Sequence, residues 1–175
     1  MTTADPPARE VMWQGKYLTT VRAGRWEYVE RAGRVSAVVI LAEHDGSVLL
    51  VEQPRVPLGR RCLELPAGLV GDTQAEDSVE QAARRELEEE TGFAAERIEV
   101  LGEYYSSPGM VAESFTLVRA AGLSRVGAGG GVGGEEIVTH LVARGEVSDF
   151  VAAKRAEGVG IDVKLLLLLG ASLAA

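Results

Sequence analysis

The stretch over residues 77–91 is the part of this sequence that most constrains the fold. Its apolar residues recur at helical spacing: Val79, Ala82, Ala83 and Leu87. The stretch has an acidic first turn, and Gly92 follows it, where a glycine commonly ends a helix. The spacing therefore predicts an amphipathic helix over residues 77–91, whose apolar side must pack on the rest of the fold.

Apolar runs on both sides of this helix predict a β-sheet. Two of them, 35–42 and 48–53, are separated by a turn containing Asp45-Gly46, which is typical of a hairpin. Strand-like runs also occur at 17–21, 26–30, 98–105, 114–120 and 137–142, and helical patterns at 147–156 and 163–173. Prolines and glycines between residues 54 and 66 predict irregular structure, and residues 68–75 a loop. Strands mixed with a few helices predict an α/β sandwich.

Composition limits the classes of function. The chain has 175 residues, 46% of them hydrophobic, which suffices for one catalytic domain. A net charge of −8 argues against a nucleic-acid partner, because such binding depends on Lys and Arg. Cys62 is the only cysteine, which excludes an intrachain disulfide and favours a reducing cytoplasm. The apolar run 165–169 is far shorter than the roughly 20 residues that span a bilayer, so we expect a buried terminal helix and no membrane association.

Three glutamates share one face of the predicted helix. Glu86, Glu89 and Glu90 lie three and four residues apart, so their carboxylates project together. Each such like-charged pair costs an isolated helix about a few tenths of a kcal/mol, which makes physical sense when a cation lies among them. Ligands that are all oxygen favour magnesium or manganese. The alternative is that residues 88–90 form a solvated acidic face.

The run from Arg85 to Phe93, Arg-Glu-Leu-Glu-Glu-Glu-Thr-Gly-Phe, resembles the second half of the Nudix box at every specified position. The resemblance implies that Glu86, Glu89 and Glu90 hold Mg²⁺, or Mn²⁺ in its place, while Arg85 orients these carboxylates. It implies a Nudix-type α/β/α sandwich with a mixed sheet. We therefore expect a hydrolase of pyrophosphate bonds in small nucleoside diphosphate derivatives.

The first half of the box fits less well. By the family spacing its glycine falls on Gly71 and its glutamate on Asp77, a shorter acid. Alternatively Pro66-Ala67-Gly68, which resembles the lead-in of the ADP-ribose branch, places the glycine at Gly68 and lengthens the loop. We prefer this second alignment, which implies the Ala67 carbonyl as a metal ligand. Asp77 and Glu76 are then candidates for the acid, although Asp77 with Glu80 also fits a capping box.

Two segments resemble the substrate-binding parts of the ADP-ribose pyrophosphatases. Ser106-Ser107-Pro108-Gly109 resembles the segment in which a proline follows the box, which implies that Pro108 and Gly109 contact substrate. The segment from Trp26 to Arg31 resembles the N-terminal strand whose aromatic stacks on adenine. Tyr17 lies near the place of a second stacking residue, for which Trp13 is a weaker candidate. Ordinary turn formation and hydrophobic packing are the alternatives.

The segment from Glu52 to Pro66 resembles the place where relatives set arginines against the diphosphate and ribose. Arg55 is the stronger candidate, together with Glu64, because a guanidinium binds phosphate in a bidentate manner. Arg60 and Arg61 cannot be separated by sequence.

A late loop in this branch carries a glutamate that assists the attacking water. Glu135 occupies the matching place, and Glu136 is its close rival. The glycines of residues 127–134 would let the loop close on substrate. Arg85, Glu89 and Glu135 are thus the expected catalytic residues.

ADP-ribose is the leading substrate that this resemblance implies. GDP-mannose or another nucleotide sugar is one alternative, and a module that senses ADP-ribose without cleaving it is another. The resemblance also implies a homodimer in which an N-terminal strand lobe, residues 1–33, contacts the partner, and a hydrolase domain over residues 34–175.

Overall fold

Two separate sheets make up most of the structure. The computed structural model of the chain describes residues 7–33, 35–71 and 77–166. The first sheet is antiparallel and has three strands: β1 (Arg9–Gln14), β2 (Leu18–Ala23) and β3 (Trp26–Arg31). Strands β2 and β3 form the predicted N-terminal hairpin. Strand β1 was not predicted from the sequence, and it extends this hairpin to a three-stranded sheet.

The second sheet has eight strands. They are β4 (Ser36–His44), β5 (Ser47–Arg55), β6 (Arg60–Glu64), β7 (Ala67–Val70), β8 (Phe93–Tyr105), β9 (Ser114–Arg125), β10 (Val138–Ala143) and β11 (Gly160–Ile161). The main path runs β11-β6-β5-β4-β9-β8, with β10 beside β5 and β7 beside β4. The pairs β4–β9 and β11–β6 are parallel and the others antiparallel, so the sheet is mixed as predicted.

The hairpin between β4 and β5 turns where the sequence predicted it. Asp45 and Gly46 have φ values of 48° and 75°, the positive values that a tight hairpin turn requires at both central residues. The two strands it joins lie in the middle of the sheet.

The helix that carries the glutamates is α1 (Val79–Thr91). It begins with a capping box in which the Ser78 hydroxyl accepts from the Gln81 N–H and the Gln81 side chain accepts from the Ser78 N–H. The cap predicted at Asp77 and Glu80 is therefore wrong by one residue. Gly92 ends the helix in the left-handed region, as predicted.

Helices cover both faces of the large sheet, which confirms the α/β/α sandwich. Along β4, Val38 and Ile40 pack with Leu87 of α1, whereas Val39 and Leu41 pack with the second helix, α2 (Val147–Ala156). Alternate residues of a strand point to opposite faces, so β4 is apolar on both. The core therefore consists of two layers separated by the sheet.

Three predictions of local structure are corrected. Residues 68–70 belong to β7 rather than to a loop, and residues 60–64 form β6 rather than irregular structure. Strand β7 is short and pairs only with β4, so tertiary pairing and not local pattern determines it. Of the predicted helix 163–173, the structure shows a 3-10 turn at Val163–Leu165, and the positions after residue 166 lie outside the described residues. No helix among the described residues is long and apolar enough to cross a bilayer.

The three-stranded sheet is attached to the loop between β8 and β9. Val29 of β3 donates its N–H to the Met110 carbonyl at 2.9 Å and accepts from the Ala112 N–H at 2.9 Å. Arg31, at the end of β3, forms an ion pair with Glu113 at 2.6 Å. These contacts fix β3 beside residues 110–113. The division into domains at residues 33 and 34 stays a prediction.

Candidate active site

A cleft of about 590 Å³ lies between the large sheet and α1. Its walls include residues of β4, β5, β6, β7 and β9 as well as α1. Six of its lining side chains are acidic: Glu64, Glu86, Glu90, Glu113, Glu135 and Asp162. Three are basic: Arg31, Arg55 and Lys164. The charges are therefore concentrated in a single cavity, in which acids outnumber bases.

Each basic side chain of the cleft pairs with an acidic one. Arg55 binds Glu64 through two parallel hydrogen bonds of 2.6 and 2.7 Å, and Glu64 is only 3% exposed. Lys164 lies 2.5 Å from an Asp162 oxygen. The third pair is that of Arg31 with its carboxylate partner on the β8–β9 loop. The cleft therefore presents cations that are fixed in position by carboxylates.

The other three lining carboxylates, Glu86, Glu90 and Glu135, face the cleft from α1 and from the loop before β10. Glu90 is 5% exposed and accepts a hydrogen bond of 3.1 Å from the Ala67 N–H. The pKa of Glu90 is raised to about 8, mainly by burial and further by the charges of Glu86 and Glu135, while the Ala67 hydrogen bond and the charge of Arg55 oppose the rise. A carboxylate so placed favours a positive charge beside it.

Gly68 lies directly under Glu86. A Cβ at Gly68 would come within 2.0 Å of the Glu86 Cδ, so only glycine allows this carboxylate its position. Gly71 has a φ of 85°, which favours glycine there as well, although a Cβ would meet nothing within 4 Å. Both candidate positions thus favour glycine, and the alignment that places the box glycine at Gly68 stays a prediction.

Arg85 lies among the acids of α1. Its NH1 atom is 2.7 Å from a Glu86 oxygen and 3.5 Å from a Glu89 oxygen, and its NH2 atom donates to the Leu69 carbonyl at 3.2 Å. Asp77 lies 3.6 Å from the same NH2 atom, which places it against Arg85 and not on the cleft wall. Glu89 does not line the cleft either. Arg85 therefore holds the positions of the glutamates around it.

The glycine-rich tract packs against the end of α1. Gly130 and Gly131 donate their N–H groups to the Glu90 and Glu89 carbonyls, each at 2.9 Å. A Cβ at Gly129 would lie 2.5 Å from the Thr91 carbonyl carbon, so this contact needs glycine. These bonds satisfy carbonyls that a helix end leaves without partners. Loop closure on substrate stays a prediction.

Glu135 and Glu136, which the sequence could not separate, differ in the structure. The Glu135 side chain lines the cleft, and one of its oxygens accepts from the Val132 N–H at 3.1 Å. Glu136 does not line the cleft, and its carbonyl accepts from Arg61 at 3.0 Å. Arg60 and Arg61 also lie outside the cleft wall, whereas Arg55 lies on it.

A second, smaller pocket of about 300 Å³ contains the predicted aromatic site. Trp26 and Tyr28 form one side of it, and Pro108 and Gly109 lie among its other lining residues. The pocket brings together residues that are about eighty positions apart in sequence, as the resemblance implied. It is separate from the acidic cleft. Tyr17 is 65% exposed and lines neither pocket.

Lys164 and Asp162 are cleft residues that the sequence reading missed. They follow β11, whose two residues pair in parallel with Cys62 and Leu63 of β6. This pairing returns the end of the chain to the cleft. A two-residue strand leaves no periodic signal, so the sequence offered no means of finding it.

The donor set of the cleft fits a small divalent cation. Among the described residues, no three His, Cys, Asp or Glu side chains already converge as in a formed ion site, because Arg85 draws Glu86 and Glu89 toward itself. The buried Glu90 carboxylate and the space that Gly68 leaves to Glu86 nevertheless provide oxygen ligands on one wall. Oxygen-only ligands suit Mg²⁺.

Comparison with known proteins decides the family. The family model of the NUDIX domain matches residues 32–151. The chain belongs to the Nudix family. This confirms the resemblance carried by the run from Arg85 to Phe93.

Curated relatives of this Nudix protein include two from the predicted branch. The mouse "ADP-sugar pyrophosphatase" is 40% identical over 111 residues, which are 62% of this chain and 47% of the mouse protein. The Bacillus subtilis "ADP-ribose pyrophosphatase" is 33% identical over 126 residues, 67% of this chain and 65% of that protein. The chain spans about half the length of several curated relatives that it matches.

A solved structure confirms the fold. The protein described as "Crystal structure of ADP compounds hydrolase" superimposes with a TM-score of 0.73 at 20% identity. The match covers 99% of this chain and 97% of that one. It therefore includes the three-stranded sheet and the segment after residue 151, which lie outside the family match.

Proposed function

We propose that this Nudix protein hydrolyses the pyrophosphate bond of ADP-ribose in a Mg²⁺-dependent reaction that yields AMP and ribose 5-phosphate. The observation that carries the proposal is that one cleft contains both kinds of charge. The carboxylates of Glu86, Glu90 and Glu135 line it together with basic side chains that are held by acidic partners. A diphosphate needs both a site for a cation and fixed positive charges, and this cavity provides them together.

Glu86, Glu89, Glu90 and the Ala67 carbonyl would hold the metal. When bound, Mg²⁺ or Mn²⁺ offsets phosphate charge and makes water a better nucleophile. Arg85 keeps the carboxylates oriented through its contacts with Glu86 and Glu89. The Glu89 side chain would have to turn from Arg85 to take part, which its 31% exposed side chain permits.

Arg55 and Glu135 act on the substrate in this proposal. Arg55 binds a phosphate oxygen, and its two bonds to Glu64 keep the guanidinium plane fixed before substrate arrives. Glu135 accepts a proton from the attacking water, since its carboxylate lies on the cleft wall. The Val132 N–H occupies only one of its oxygens, which leaves the other to face the water.

The nucleoside part binds at the apolar pocket of Trp26, Pro108 and Gly109. Trp26 is 52% exposed, so one ring face is accessible for stacking on a base. Strand β3 connects this pocket to Arg31 in the cleft, and the β8–β9 loop connects them a second time. A nucleoside diphosphate can therefore extend from one pocket to the other.

The N-terminal sheet provides the surface for a homodimer. The large apolar side chains exposed on this sheet and on the turn before β2 include Val11, Met12, Trp13, Tyr17, Leu18 and Trp26. A monomer seldom exposes so many large apolar groups together. We place Tyr17 at the base of the partner's substrate, because within one chain it lines neither pocket.

The test is turnover of a substrate panel with Mg²⁺: ADP-ribose, GDP-mannose, NADH and diadenosine polyphosphates. We expect ADP-ribose to have the highest kcat/KM. A preference for GDP-mannose would keep the cleft chemistry and change the base assignment. Tight binding of ADP-ribose by folded protein without product would refute hydrolysis and favour a sensing module.

A further inference from the structure

Arg61 bridges the large sheet and the loop that carries Glu135. Its Nε donates to a Glu52 carboxylate oxygen at 2.7 Å, and its NH2 donates to the Glu52 carbonyl at 2.7 Å. The same NH2 group reaches the Glu136 carbonyl at 3.0 Å. One guanidinium thus joins β5, β6 and the peptide next to the proposed proton acceptor.

Glu52 is a buried anchor for this bridge. It is 7% exposed, although the reaction proposed above does not use it. His140 of β10 lies 3.2 Å from its carboxylate and Lys154 of α2 lies 3.0 Å away. Burial raises the pKa of Glu52, but the contacts with Lys154, Arg61 and His140 outweigh it and lower the pKa overall. The carboxylate is therefore charged at neutral pH and holds the guanidinium firmly.

The loop is fixed independently at its other end. Gly130 and Gly131 bind carbonyls of α1, and the Ile137 N–H donates to the Gly130 carbonyl at 3.3 Å. Ile137 is 7% exposed and so closes the loop against the core. Among the described residues, the Val132 N–H is the one hydrogen-bond donor to the Glu135 side chain. The direction of its carboxylate therefore depends on the backbone that Arg61 restrains.

We propose that Arg61 is a positioning residue, which sets the Glu135 carboxylate toward the cleft through the Glu136 carbonyl. The inference rests on the proposed function for its catalytic consequence. Arg61 itself lies outside the cleft wall, so it does not contact substrate. Misplacement of a reacting group by about 1 Å costs on the order of 100-fold in rate. Loss of Arg61 should therefore lower kcat about 10- to 100-fold and leave KM nearly unchanged.

The experiment compares Arg61→Gln with Arg60→Gln. Arg60 is the preceding residue and is exposed, and its side chain forms no hydrogen bond or ion pair within the described ranges. Its variant therefore removes the same charge without breaking the bridge. We expect the loss of kcat only in Arg61→Gln. In a Glu135→Gln background, Arg61→Gln should cause no further loss, because both changes act on one group. A full additional loss in that background would overturn the proposal.

Hydrogen exchange of residues 132–137 provides a readout that does not need activity. We expect faster exchange there in Arg61→Gln and no change in Arg60→Gln. Should wild-type protein fail to turn over ADP-ribose, the proposed function fails while exchange still decides whether Arg61 anchors the loop. Unchanged exchange refutes the inference whatever the activity.

Arg61→Gln removes a partner of Glu52, and a folding defect from that loss would also lower activity. Arg61→Lys is the control for this effect. A lysine keeps the charge beside Glu52, but its compact ammonium lacks the fork that reaches two acceptors at once. We expect native stability, increased exchange at residues 132–137 and a loss of kcat smaller than in Arg61→Gln. Wild-type exchange and kcat in this variant would show that charge alone matters and contradict the positioning role.

Discussion

The acidic cleft and the Trp26 pocket differ in how they are built. The cleft is lined by charged side chains that are held in position by hydrogen bonds. Arg55 is held by the Glu64 carboxylate, and Glu90 is held by the backbone N–H of Ala67. The Trp26 pocket is lined by aromatic and small residues, with few polar atoms. The two pockets have only two structural elements in common, β3 and the β8–β9 loop, which contribute lining residues to both.

The proposed function therefore assigns reaction and base recognition to two physically separate pockets. Changes in the cleft should act mainly on kcat, because its groups interact with charge that develops during reaction. Changes at the Trp26 pocket should act mainly on KM, because stacking on a base does not change during reaction. Each prediction below tests one side of this comparison.

The largest effect is expected from Glu90→Gln. Glutamine keeps the size and an acceptor for the Ala67 N–H but removes the charge, so we expect kcat with ADP-ribose and Mg²⁺ to fall by about 10³-fold or more. The melting temperature should not fall, because a buried carboxylate of raised pKa is removed. Steady-state kinetics and thermal unfolding check both parts. A Glu90→Gln protein with wild-type activity would contradict the assignment.

Cys62 reports on the environment of the cleft through the pH dependence of alkylation. Burial, together with the charges of Glu64 and Asp162, raises the pKa of the Cys62 thiol to about 11. A pKa raised above the ordinary thiol value of about 8.5 keeps the neutral form as pH increases, so thiolate at pH 8 should be on the order of 200-fold scarcer than in unfolded chain. Iodoacetamide labelling should still accelerate about tenfold from pH 9 to pH 10 in folded protein. A plateau near pH 9 would contradict this environment.

Arg55→Lys should lower kcat/KM by about 30-fold. This effect is smaller than those predicted for Glu90 and Cys62 and larger than that predicted for Trp26. Lysine keeps the charge that Glu64 needs but cannot bind a carboxylate and a phosphate through a planar fork. Arg60→Lys is the matched control, since Arg60 does not line the cleft. Equal kinetics for the two variants would remove Arg55 from the diphosphate site.

The smallest effect is expected from Trp26→Ala. Loss of a base-stacking side chain is worth about 1 to 3 kcal/mol, which corresponds to roughly a fivefold increase in KM at the lower end. Stability should change little because Trp26 is half-exposed. Trp26→Phe should restore most of the affinity. A loss of kcat without a change in KM would show that the two pockets act as one functional unit and would contradict their separation.

Local signals account for what the sequence predicted correctly. The helical spacing of Leu87 with its neighbours and the Asp45-Gly46 turn determine α1 and the central hairpin without reference to the rest of the chain. The glutamates of α1 follow from the same helix. Glu135 and Arg55 reached the cleft as the family resemblance implied.

Non-local pairing accounts for what the sequence could not predict. Strand β11 has two residues, yet its pairing with β6 brings Lys164 into the cleft. Trp26 and Glu90 line separate pockets because of the way in which the two sheets meet. The spacing of apolar residues along the sequence does not predict that arrangement. The helix is capped by Ser78 with Gln81, whereas Asp77 lies 3.6 Å from Arg85, a contact that residues eight positions apart make only in the folded chain.

Cleavage of ADP-ribose by this protein can be followed directly by ³¹P NMR. With wild-type protein and Mg²⁺, the two diphosphate signals should be replaced by those of AMP and ribose 5-phosphate, and addition of EDTA should stop the conversion. Glu90→Gln protein at the same concentration should leave the diphosphate intact. Persistence of the diphosphate with folded wild-type protein, or cleavage by Glu90→Gln at the wild-type rate, would contradict the account.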